Sequence, residues 1–125
     1  MTPTSADRAL VALACLAGGL GVAASAAAAH IPGADSLKTA AQFLLFHAPV
    51  ILALAGLAAA GATHAVATRI AAFALVLGLV LFSGDLAIRA LAQRPLFPMA
   101  APSGGILLML GWASAAVAAF LPVRR

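Results

Sequence analysis

Charge is what this sequence has least of. Three acidic and seven basic residues make up 8% of 125 residues, against 65% hydrophobic ones. A soluble domain carries about a quarter charged residues, so there is too little polar material here to face water. Tyrosine is absent, and Cys15 and Trp112 are single copies. One cysteine excludes an intramolecular disulfide and any cysteine-based metal site. Inside an apolar run it reads as a small buried hydrophobe. No HExxH pair, Gly-rich phosphate loop or Ser-His-Asp order is present. Paired-carboxylate glycoside chemistry would need two intramembrane acids, and one is available. Haem would need two histidines at matched depth on facing helices. No catalytic residue, metal or cofactor is therefore expected.

What is present is apolar length. Four runs, about residues 9–29, 39–61, 67–91 and 104–121, each approach the roughly 20 residues that cross a hydrocarbon core about 30 Å thick. They predict a single domain, an all-α integral membrane four-helix bundle, up-down-up-down with short loops. The link from Gln93 to Ser103 contains Pro95, Pro98 and Pro102 and cannot be continuous helix. The N-terminal run ends in small residues, as a secretory signal does. It is longer than a signal core of roughly 7–15 residues, and Asp7 weakens its basic flank, so it reads as a retained helix.

The basic residues Arg8, Lys38, Arg69, Arg89, Arg94, Arg124 and Arg125 stand near the run ends. They form no basic stripe with interleaved aromatics, which argues against nucleic acid. With four crossings, Arg8, Arg69, Arg124 and Arg125 share the side of the termini. That slight excess favours cytoplasmic termini. Small residues recur at fourth positions: Ala17, Gly21, Ser25 and Ala29; Gly56 and Ala60; Gly111, Ala115 and Ala119. Such stripes allow close helix approach where lipid removes the hydrophobic incentive.

The strings FHAPVILALAGL, LFSGDL and APSGGILLMLGW, with the earlier AAAH and SLK, give the chain a resemblance. It resembles the domain of unknown function 423 (DUF423) family of small bacterial inner-membrane proteins, over nearly its whole length. The resemblance implies an inner-membrane location and carries no activity. Where that family commonly reads FSGSLY, Asp85 and Ala87 stand here, and Arg89 occupies a position that is usually apolar.

Topology brings several polar residues toward the face opposite the termini. His30 leaves the membrane there, and His47 lies about 12 Å below that surface at 1.5 Å per residue. Asp85 is at similar depth in the third helix, with Ser83 beside it and Arg89 one turn nearer the surface. Asp85 and Arg89 share a helix face and can pair, which relieves a carboxylate costing roughly 2.5–3.5 kcal/mol in the membrane. The sharper expectation is an intramembrane cluster of His47, Asp85, Arg89 and Ser83. Asp85 would receive hydrogen bonds from the start of the fourth helix, where Ser103, Gly104 and Gly105 leave backbone N–H groups open. Arg94 joins that end as a lipid-headgroup contact, and His30 is a weaker candidate. Pro49 is expected to kink the second helix beside His47. His64 is expected in solvent, and Trp112 in packing.

Functionally, the small size and helix-contact stripes point to a non-catalytic accessory or scaffold protein. Its expected contacts are membrane lipids and a membrane-protein partner or another copy of itself. The alternative is a transporter or channel component moving protons or a small polar solute through His47, Asp85 and Arg89.

Overall fold

The computed structural model describes residues 2–124; Arg125, counted above in the charge bias, lies outside them. Four helices account for the fold, with no strand among the described residues: α1 (Ser5–His30), α2 (Asp35–Ala60), α3 (Ala65–Ala92) and α4 (Ala100–Phe120). All four are long and apolar enough to cross a membrane.

The helices overrun the apolar stretches because local polar chemistry caps them. In α1 the Thr4 hydroxyl accepts from the Asp7 backbone N–H, and the Asp7 carboxylate accepts from the Thr4 N–H. This reciprocal capping box satisfies two N–H groups that a helix start leaves open, so α1 begins at Ser5 and not near residue 9. Asp35 in the first turn of α2 complements the helix dipole. Gly61, at φ 70°, closes α2 in the left-handed region, a cap that glycine adopts without strain. His64 is half-buried and caps α3, its Nδ1 accepting from Ala67 N–H, so it is a structural cap and not a solvent-facing side chain. α4 starts at Ala100 and takes in Pro102 as its third residue. The missing N–H of a proline costs nothing in the first turn, where those groups have no helical acceptor. Pro49 sits inside α2 without dividing it into two elements.

Packing follows chain order. α1 lies on α2, α2 on α3 and α3 on α4, with a lighter contact between α1 and α3. The shared core joins Leu10 and Ala14 of α1, Ile51 and Ala55 of α2, Ala72 and Leu75 of α3, and Leu108 of α4. Large apolar side chains such as Leu16, Phe46, Ile70 and Met109 point outward, each more than 60% exposed. In water such surface would be an aggregation patch; against acyl chains it is a matched solvent.

Glycines decide how closely α3 and α4 approach. A Cβ on Gly104 would stand 2.5 Å from the Phe82 backbone nitrogen and 2.9 Å from the Gly78 carbonyl oxygen. Gly78 and Gly111 are likewise closed over by Leu108 and Leu75. On α1, Ala17 and Gly21 are buried, Gly21 against Leu44 and Leu45 of α2. The other small-residue stripes do not pack as their spacing suggests. Ser25, Ala29, Ala60 and Ala119 are exposed, Ala115 is half-buried, and a Cβ at Gly56 would meet nothing within 4 Å. Spacing locates a small residue on a face; it does not say which face meets a neighbour.

Gly104→Ala is expected to destabilise by about 1–3 kcal/mol, since backbone must move to admit the methyl. Gly105→Ala, whose Cβ would make an ordinary 3.8 Å contact with Phe82, should be neutral or slightly stabilising. Unfolding of both variants in mixed micelles checks the difference.

Candidate functional site

The polar side chains sort into separate bridges, each set by helix depth. Nearest the α3–α4 loop, Asp85 is fully buried. Its Oδ2 accepts from Arg89 Nε at 2.7 Å, and its Oδ1 accepts from the Leu96 backbone N–H at 2.7 Å. Asp85 therefore ties α3 to the α3–α4 loop. Its backbone donor lies in that loop, before α4 begins, and not among Ser103, Gly104 and Gly105. The Arg89 side chain is 47% exposed, reaching outward from the pair as a snorkelling arginine does.

Ser83, two residues deeper on α3, is turned away from Asp85: its hydroxyl donates to the Ala40 carbonyl of α2 at 3.1 Å. The Phe43 and Phe82 rings meet at a tilt of 42°, centroids 4.5 Å apart. His47 lies deeper again. It stands twelve residues into α2, roughly 18 Å at 1.5 Å per residue, because α2 starts at Asp35. Trp112 stands twelve residues into α4, which starts on the same side. The two meet, Trp112 Nε1 donating to His47 Nε2 at 3.1 Å, while His47 Nδ1 is 2.8 Å from the Phe43 carbonyl oxygen.

These two partners fix the ring chemistry. A carbonyl only accepts and an indole N–H only donates, so Nδ1 carries the proton and Nε2 supplies the lone pair. His47 is a neutral imidazole with both nitrogens occupied, bonded neither to Asp85 nor to Arg89. The four residues expected as one cluster thus form three structures: the Asp85–Arg89 pair, the Ser83–Ala40 bond and the His47–Trp112 bond.

The helix-start residues take other parts. Gly104 is buried in the α3 contact with no room for an anion, Gly105 faces Phe82, and Ser103 is exposed, its N–H bonded to the Met99 carbonyl. Arg94 is exposed in the loop, and His30 is the exposed last residue of α1. Trp112, expected only in packing, supplies the donor to His47.

A second ion pair occupies the opposite end. Arg69 donates through Nε to Asp7 Oδ1 at 2.7 Å and through Nη2 to Asp7 Oδ2 at 2.8 Å. Asp7 is 2% exposed and also accepts from the Thr4 N–H and hydroxyl. This forked pair joins α1 to α3 across 62 positions of sequence. In the sequence Arg69 reads as a charge near a run end, and Asp7 only as a weakening of the basic N-terminal flank. The Thr4-x-x-Asp7 capping pattern was the one local signal that Asp7 is structural, and nothing local names Arg69 as its partner. At the same end, the buried Thr68 shares a 2.7 Å hydroxyl bond with Thr63.

Two outcomes check this arrangement. Arg69→Ala should cost about 3 kcal/mol by leaving the Asp7 carboxylate buried and unpaired. Arg89→Ala, from a half-exposed side chain, should cost about 1 kcal/mol or less. Equal losses in micellar unfolding would contradict the assignment. Nitrogen-15 NMR should find His47 in the Nδ1-protonated form, and Trp112→Phe should perturb its Nε2 resonance with a loss of about 1 kcal/mol.

Comparison with known proteins adds a family without an activity. The family model described as Protein of unknown function (DUF423) matches residues 23–105. That is well over half of the chain, which therefore belongs to this family. No solved structure matches. The matched segment contains His47, Ser83, Asp85 and Arg89, whereas Asp7 and Trp112 lie outside it.

Proposed function

We propose that this member of the DUF423 family is a non-catalytic accessory or scaffold protein of the bacterial inner membrane, with both termini in the cytoplasm. The observation that carries the reading is the full engagement of its polar groups. Among the described residues, no buried side-chain nitrogen or oxygen lacks a hydrogen-bond partner. General acid–base catalysis needs a group free to exchange a proton with substrate. The His47 ring is bonded at both nitrogens, and Asp85 is held on both oxygens. Those groups bridge helices, which suits a protein whose product is a shaped membrane surface.

Conduction along a line of polar groups is the competing class. It gains little support here, because the His47 ring is flanked by Phe43 and Trp112 and is not linked to the Asp85–Arg89 pair. The termini side holds four cationic residues in the sequence, the other side three, and this excess supports cytoplasmic termini. Membrane lipids, a membrane-protein partner or further copies of the chain are the contacts this role implies.

Crosslinking in native membranes followed by mild-detergent extraction tests the role. A stable complex containing the chain is expected; a monodisperse, partner-free monomer contradicts it. Reconstituted liposomes should show no proton flux above empty ones. A flux that collapses in Asp85→Asn and His47→Ala would replace the scaffold reading with the transport one.

A further inference from the structure

The Asp7–Arg69 pair holds α1 to α3 near the termini, and beyond it a groove of about 600 Å³ lies between the two helices, with α2 as its floor. Leu37, Leu44 and Ile51 form that floor, one residue in seven and hence a single seam along α2. Near the termini the walls are bulky: Leu13, Leu16 and Leu20 on α1, Val76, Leu79 and Val80 on α3. Toward the other face they shrink to Ala23, Ala24 and Ala27, opposite Ser83, Gly84 and Ala87. The Ser83 hydroxyl is already bonded to Ala40, so the groove offers no free polar side chain. It is an apolar slot whose walls carry mostly larger side chains toward the termini and mostly smaller ones toward the other face.

Length, lining and mouth together select the occupant. From Leu13 to Ala27 the groove runs roughly 21 Å at 1.5 Å per residue. A single flexible hydrocarbon chain matches that length and the apolar lining.

The mouth supplies the second half of the argument. His30 lies one turn beyond Ala27, Lys38 follows Leu37, and Arg94 comes three residues after Leu91, itself a groove residue; all three are exposed. The loop bearing Arg94 folds back toward the groove, since the Leu96 side chain reaches to 4.0 Å from a Cβ built on Gly84. Asp35 is the one unpaired acid at this end among the described residues. An excess of cationic side chains at headgroup level suits a phosphate. We propose that this groove is a phospholipid site, with one acyl chain in the slot and the phosphate held at the mouth by Lys38, Arg94 and His30. The proposal goes beyond the scaffold reading and does not depend on it.

Native mass spectrometry of the mild-detergent-purified chain tests the site by the mass it retains. One phospholipid per chain is expected for the wild type and for Gly56→Leu, a matched substitution on an open surface away from the groove. Gly84→Leu and Ala24→Phe fill the half lined by small residues and should lower retention about tenfold. Lys38→Ala combined with Arg94→Ala should lower it similarly. Unchanged retention in either set overturns the proposal, as does an adduct with the mass of detergent or free fatty acid only. Should the filled variants fail to fold, a phosphatidylglycerol with a diazirine near the acyl terminus can label the wild type. Label concentrated at Leu13, Leu16 and Val76 supports the site. Label spread evenly around the helices, or a second copy of the chain crosslinked into the groove, rejects it.

Discussion

Hydrocarbon offers no hydrogen-bond partners, and the internal arrangement of this protein follows from that constraint. Each buried polar side chain inside the spans must find its complement within the chain. Asp7 reaches Arg69, Asp85 reaches Arg89 and the Leu96 amide, Ser83 reaches Ala40, and His47 reaches Phe43 and Trp112. Most of these bonds cross from one element to another, so satisfying the groups also fastens the helices. Fastening matters because lipid tails are as apolar as leucine and supply no hydrophobic drive for helix association. The ion pairs stand where their charge costs least. Arg69 and Asp85 are sixteen residues apart on α3, roughly 24 Å, which sets the two pairs near opposite edges of a core about 30 Å thick. The bond nearest the middle is the neutral one, between His47 and Trp112.

Close packing complements these bonds. α4 carries no charged side chain. It is seated on α3 through Gly78, Gly104 and Gly111, and tied to its neighbours by the Trp112 indole and the His64 N–H to the Ala118 carbonyl. α1 follows a different scheme, with Gly21 against α2 and the Asp7–Arg69 pair to α3 at one end only. Beyond that pin the apolar groove lies between α1 and α3.

Much of this is legible in the residues, and the misses share a cause. Apolar run length gives the number of spans, and i,i+4 spacing gives the Asp85–Arg89 pair. Hydropathy alone places helix starts too late, because Thr4, Asp7, Asp35 and Lys38 lower the apolar count while belonging to or capping the helices. That error put His47 too shallow and hid its match in depth to Trp112. Gly104 was readable as a glycine near a helix start, but its contact with Phe82 depends on the rotation of two helices, which no single segment encodes. Arg69 pairs across 62 positions, a separation over which local pattern carries no information.

The central claim is that these helices cross a bilayer with their polar bonds turned inward and the His47–Trp112 bond near its middle. Trp112 is the only tryptophan, so its fluorescence reports one depth. In reconstituted vesicles, quenching should be strongest with lipids brominated deep in the acyl chain and weak with aqueous iodide. Strong iodide quenching, or greatest quenching by bromines near the headgroup, would contradict the account.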